Sequence, residues 1–256
     1  MERAAQAGLT RLLVPAVDVG SARRVIELAE DHRQLFAAVG IHPAEVAAMT
    51  ATDLASLQPL AAESKVVAIG EIGLDYYWIT EPIARLKQRE MLRAQLDLAS
   101  SVGKPVVLHL REAKDADYGD CVRDMIGILQ DWVLELRNRG ASLSERPGVL
   151  HSFSGTLETA LKAIELGFYI GITGPVTFPN AEQRRRVVAA LPVERILLET
   201  DAPFLAPQAQ RGRRNEPAFV ADIADRIAQV QSRAVREVAE STSANAARLF
   251  GWGASV

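Results

Sequence analysis

Short apolar, β-branched runs alternate with longer amphipathic stretches along almost the whole chain, and few folds satisfy that alternation. Seven runs read as buried strands: RLLVPAV from Arg11, LFAAVGI from Leu35, KVVAIGEI from Lys65, PVVLHL from Pro105, GVLHSF from Gly148, GFYIGIT from Gly167 and RILLETD from Arg195. Between them, SARRVIELAEDH, REMLRAQLDLASSVG and TLETALKAIELG repeat leucine and alanine at three and four, and the last two close on Gly103 and Gly167. Repeated strand–helix units imply parallel strands joined by right-handed crossovers. The expected class is α/β, a closed (β/α)8 barrel in one domain over 1–256, with a longer helical insertion at 112–147. Within that insertion CVRDMIGILQDWVLELRNRG reads as an amphipathic helix with Trp132 and Leu136 facing the core. A Pro/Gly/Arg-rich loop follows Asp201, and two helical patterns then run to Phe250.

The strand count falls one short of the eight that such a barrel needs. The chain opens on ERAAQAG, which reads as the last turns of a helix with a glycine behind it, and no strand precedes it. The expectation is a barrel lacking its first βα half-unit, through a start site set too far downstream or a truncated form. Two sheet edges would then stand unpaired, with aggregation as the hazard.

Composition excludes several classes. The chain has one cysteine, Cys121, so no internal disulfide is available and the reducing cytosol is the expected compartment. No apolar run approaches a membrane span, and MERAAQAGLTRLLVP lacks the plan of a signal peptide. A net charge of −3 argues against a broadly basic nucleic-acid-binding face, though a metal centre and a few arginines can supply a local positive field. No obligate protein partner is indicated.

Four of the runs carry a metal-type ligand at or near their ends: Glu71, His109, His151 and Asp201. Parallel strands bring their carboxyl ends to one face, so four distant ligands would meet there and suit a hydrolytic metal centre. Each has a plainer reading. Glu71 could form a salt bridge or cap, His109 and His151 could be hydrogen-bonded core residues, and Asp201 could cap the next segment. Glu199 shares strand parity with Asp201 and points either inward with it or to an arginine. Arg111, two residues beyond His109, would clamp a phosphate or carboxylate, or pair with Glu112 or another loop acid. His42, ending the second strand before a proline, is a substrate-contacting or supporting group or a loop hydrogen-bonder. Arg214, in RGRRNEP, lies where it would touch substrate. The arginines at 184–186 and His32 read as solvated helix positions.

Taken in order, GEIGLDYY, VVLHLREA, GVLHSFSG, VTFPNAEQ, LLETDAPFLAP and GRRNEPAFV resemble the TatD family of metal-dependent deoxyribonucleases. The resemblance runs from about Glu2 to Phe250, broken only by the segment after Arg111. It implies a TIM-type barrel of the amidohydrolase-like kind with a divalent-metal site, magnesium, manganese or zinc, up to two ions per chain. It implies Glu71 as a bridging carboxylate, His109 and His151 as ligands of one metal and Asp201 as a ligand of the other, with Glu71 and Asp201 as the catalytic carboxylates. DNA, single-stranded or at duplex ends, is the implied substrate, with 3′–5′ exonuclease action common in the family. The chain departs from the pattern at its start: such proteins begin on an Asp-x-His-x-His strand, and the first histidine here is His32. Weak or absent nuclease activity is therefore expected of this form. Two other classes stay open, an amidohydrolase-like enzyme acting on an amide, ester or lactone, and a scaffold without catalysis.

Overall fold

In the computed structural model, which describes residues 1–252, seven parallel strands form one curled sheet in the order of the sequence. They are β1 (Leu12–Pro15), β2 (Leu35–Val39), β3 (Val66–Asp75), β4 (Val106–Arg111), β5 (Gly148–Leu150), β6 (Tyr169–Ile172) and β7 (Ile196–Leu198). The helices are α1 (Glu2–Gln6), α2 (Val19–Asp31), α3 (Ala51–Ala61), α4 (Pro82–Val102), α5 (Asp120–Asn138), α6 (Leu157–Glu165), α7 (Glu182–Ala190), α8 (Val220–Gln231) and α9 (Val235–Phe250). All seven expected runs contain a strand. Residues 253–256, the end of the expected 1–256 domain, lie outside the described residues.

Sequence determines where these elements start and stop. Asp18 caps α2, accepting the Ser21 N–H at 2.6 Å, while the Ser21 hydroxyl returns to the Asp18 backbone. Gly103 ends α4 in the left-handed conformation that costs a glycine little. The helix inside 112–147 is α5, which buries Trp132 and Leu136.

Two cores result. The larger lies between sheet and helices and contains Ile69, Leu92, Leu108, Leu129 and Ile170. The smaller lies on the concave face, where Ala38, Ala68, Val107, Val149, Tyr169 and Leu197 point inward and pack with Leu249 and Phe250. Each inward residue on β4, β5, β6 and β7 is followed two positions later by His109, His151, Gly171 or Glu199. Strand alternation therefore stacks a polar layer directly above the apolar one.

Strands β1 and β7 are the ends of the sheet. A cavity of about 300 Å³ lies between them, lined in part by Leu13, Val14, Leu197, His151 and Asp201. The expected bare edges are partly blunted. Leu12 and Ala16 bond β2, so Leu13 and Pro15 face the seam, and Pro15 has no N–H to offer. On β7, the Ile196 carbonyl accepts from Asn245 Nδ2 at 2.9 Å, and just beyond it the Thr200 carbonyl accepts from Asn215 Nδ2 at 2.7 Å.

Candidate metal centre

The site sits at the carboxyl ends of the strands and divides into two acid–imidazole clusters. In the first, His109 Nδ1 lies 2.9 Å from Glu71 Oε1 and Nε2 lies 3.0 Å from Asp75 Oδ2. In the second, His151 Nδ1 lies 2.8 Å from Glu199 Oε2 and Nε2 lies 3.4 Å from Asp201 Oδ1. Glu71 and His109 are thus brought together, and so are His151 and Asp201. The field of His151 also reaches Glu71.

The first cluster depends on a close approach of β3 and β4. Gly73 is the register partner of His109, and a Cβ on Gly73 would collide with the His109 backbone. Gly73 also has a φ of 146°, which side chains rarely adopt. With glycine there, His109 lies between Glu71 and Asp75, which flank Gly73 on one face of β3. Glu71 therefore does not end its strand as expected; β3 continues four residues to Asp75. His151 and Asp201 instead lie just beyond β5 and β7. Asp201 takes φ 56°, a left-handed conformation that aspartate tolerates better than most residues.

Asp75 was not anticipated from the sequence, although its spacing of four from Glu71 within one strand puts the two on one face. Also unanticipated were Gln88 and Gln95 of α4, seven residues apart and both about 1% exposed. Gln95 binds both the N–H and the carbonyl of Ile41, at 2.7 and 3.1 Å. Gln88 accepts from the Asp75 N–H at 3.1 Å and donates to the Pro43 carbonyl at 3.0 Å. These amides hold the backbone on both sides of His42 and at Asp75.

His42 Nε2 lies 3.6 Å from Glu71 Oε1, and its ring packs edge-on against His109 with centroids 4.4 Å apart. Its Nδ1 accepts the Ala44 N–H at 3.1 Å. Burial, reinforced by His109, pushes His42 down to about 4, so it is neutral at physiological pH. With Nδ1 accepting, the neutral ring carries its proton on Nε2 and presents a donor to the site.

Charge balance explains the remaining protonation states. Burial alone would raise Glu71, but the His109 hydrogen bond and the nearby imidazole charges outweigh it and hold Glu71 at about 2. Burial would lower His109, yet hydrogen bonds to Asp75 and Glu71 raise it. His151 is likewise raised, against its burial, by the charge of Glu199 and the bond to Asp201. One ligand atom from each of His42, Glu71 and His109 lies within 4.8 Å of the others. The Glu71 oxygens and a His109 nitrogen fit a divalent cation, whereas both His42 nitrogens already meet protons, so His42 adds a hydrogen-bond donor beside them.

Arg111 and Arg214 lie outside both clusters. The Arg111 Nε donates to Asp115 at 2.8 Å, and the guanidinium stacks 3.8 Å over the Tyr77 ring. The expected alternative acid, Glu112, instead accepts the Val122 N–H in the first turn of α5 at 3.1 Å. Arg214 is exposed on the loop after β7, beside the buried Asn215.

A sequence profile described as TatD related DNase matches residues 1–251. The uncharacterized metal-dependent hydrolase YabD of Bacillus subtilis is 38% identical over 98% of this chain and 91% of its own length. A protein named 3′-5′ ssDNA/RNA exonuclease TatD, from Edwardsiella piscicida, is 35% identical over 97% of this chain and 90% of its own. The crystal structure of YjjV, a TatD homolog from Escherichia coli K12, superposes with a TM-score of 0.84 at 33% identity, covering 98% of this chain and 90% of that one. The curled parallel sheet, the paired imidazoles and these likenesses agree: the chain belongs to the TatD related DNase family of metal-dependent hydrolases.

Proposed function

We propose that this hydrolase cleaves phosphodiester bonds of DNA, working from the 3′ end of single strands. The reading rests on one observation above others: His109 and His151 are each held between two carboxylates at the same end of one sheet. The name of the Edwardsiella relative supports the substrate.

Glu71, His109, His151 and Asp201 would hold divalent cations, magnesium, manganese or zinc. Bound there, a cation supplies positive charge for a phosphate and acidity for a water. The rest falls to the chain. Asp75 would fix His109 by holding its Nε2 proton, leaving Nδ1 beside Glu71 for a ligand, and Glu199 would fix His151 in the same way. His42 would donate its Nε2 proton in a hydrogen bond to a phosphate oxygen. Asp201, about a third exposed, would orient the attacking water and accept its proton. Arg214 would add positive charge at the rim.

The test is a single-stranded oligonucleotide labelled at its 5′ end and incubated with magnesium, manganese or zinc. The expected result is a weak ladder shortening from the 3′ end, absent in EDTA and in Glu71→Gln. Inert oligonucleotides with all three metals, alongside turnover of an ester or lactone, would transfer the site to a different hydrolysis.

A further inference from the structure

Every exposed Trp, Tyr or Phe side chain among the described residues belongs to a loop beyond the carboxyl end of a strand. Trp78 follows β3 and is 65% exposed, Tyr118 follows β4 and Phe204 follows β7. The other described aromatics are buried or half-buried. Large apolar rings left in water serve no core, and their confinement to the face that carries the acid–imidazole clusters points to a ligand there.

Trp78 is built into that face. Its backbone N–H donates to Asp75 Oδ1 at 2.9 Å, while Oδ2 of the same carboxylate meets His109 Nε2 at 3.0 Å. One aspartate therefore sets both the imidazole and the indole-bearing loop. Tyr77 packs edge-on to Trp78 with centroids 4.8 Å apart. The Arg111 guanidinium lies 3.8 Å over Tyr77 and 5.7 Å from the Trp78 ring centre, and Asp115 tethers it. The result is a ledge of two aromatic rings and a flat cation, fixed to the metal-type cluster.

We propose that this ledge is a base-stacking subsite for single-stranded polynucleotide, with Trp78 as its principal surface. The inference rests on the nuclease reading above and names how that substrate is gripped. Rings and guanidinium planes accept the faces of all bases, so the subsite gives affinity without reading sequence. Paired bases hide their faces in the duplex stack, so the ledge selects unpaired nucleotides. Arg111 acts here through a stacked plane, not as a bidentate phosphate clamp, because Asp115 already occupies its fork. Phe204, beyond β7, would take a further base.

The experiment measures binding of a fluorescein-labelled ten-residue phosphorothioate oligothymidylate by anisotropy, with magnesium present, so that no turnover is required. A second strand of equal length and charge has abasic sites throughout. Trp78→Ala is expected to bind the intact strand roughly 10-fold more weakly, Trp78→Phe to recover most of the loss, and Phe204→Ala to weaken binding by a smaller factor. On the abasic strand, wild type and Trp78→Ala should bind alike. Circular dichroism checks that the exposed substitutions leave the fold intact. Equal affinity of wild type and Trp78→Ala for the intact strand, or an equal loss on the abasic strand, overturns the ledge alone. A wild-type protein that binds neither strand overturns the nucleic-acid reading together with it.

Discussion

Gly171 gives the most direct test of how the second cluster is assembled. It lies in β6 with ordinary extended backbone, so alanine is conformationally acceptable there, and the strand itself should gain about 0.5 kcal/mol or slightly more. The obstacle is Glu199: a Cβ on Gly171 would lie under 3.0 Å from both carboxyl oxygens and the carbon between them. To reach ordinary van der Waals separation the carboxylate must retreat by about 1 Å. That retreat breaks the bonds from the Ser152 N–H at 2.9 Å and from His151 Nδ1 at 2.8 Å. At about 1.5–3 kcal/mol for each charge-assisted bond, Gly171→Ala should cost about 2–5 kcal/mol after the strand gain. For a chain of this length that is a fall of roughly 4–20 °C in Tm. Glu199→Ala removes the same two bonds and the collision partner, so adding Gly171→Ala to it should cost nothing more. The assay is a double-mutant cycle by chemical denaturation, with metal content measured on the same preparations; metal affinity should fall 10–100-fold in both single variants. Additive losses in the double variant, or a Gly171→Ala protein as stable as wild type, would refute this account of the cluster.

Three further outcomes follow from the same contacts. Asp75→Asn leaves His109 Nε2 without its charged acceptor at 3.0 Å, and metal affinity by chelator competition should drop 10–100-fold; unchanged affinity would remove Asp75 from the site. Gln95→Met strands the N–H and carbonyl of Ile41 in a buried setting and should cost about 2–5 kcal/mol by urea denaturation, whereas a loss under 1 kcal/mol would mean that the loop before His42 finds other partners. Asp18→Ala removes the α2 cap and should cost about 1 kcal/mol at neutral pH. The Ser21 backbone bond lowers the Asp18 carboxyl below its ordinary 3.8, so this contribution is present above that value and disappears as pH falls through the depressed one. A wild-type-to-variant difference that does not shrink as pH is lowered from neutral to well below 3.8 would contradict the assignment.

The strands were legible because each is a continuous apolar, β-branched run between turn signals, the pattern that burial on both faces demands. Glu71, His109, His151 and Asp201 stood out because polar groups directly after such runs are costly unless partnered. What the sequence hid was pairing. The partition into two clusters depends on which strands adjoin and in what register, and β3 shifts register against β4 between Ile69 and Ile72. Asp75 went unread because β3 was expected to stop near Ile72, and only the Gly73 approach to β4 shows why it continues. Gln88 and Gln95 look like ordinary helix residues until α4 is laid beside the loop that contains His42. Arg111 and Asp115 have the spacing of an ion pair, but the turn that joins them uses left-handed Lys114 and Asp115, which no local pattern announces.

The amide groups of Asn245 and Asn215, with Pro15 across the gap, bear on how the molecule behaves in a crowded solution. A foreign strand approaching the seam edge-on finds two carbonyl docking points already plugged and one N–H missing. Such a visitor gains fewer ladder bonds than a bare edge would offer, which weakens edge-on recruitment at its first step. Colloidal restraint is thereby written into three side chains, two of them outside the strands they guard.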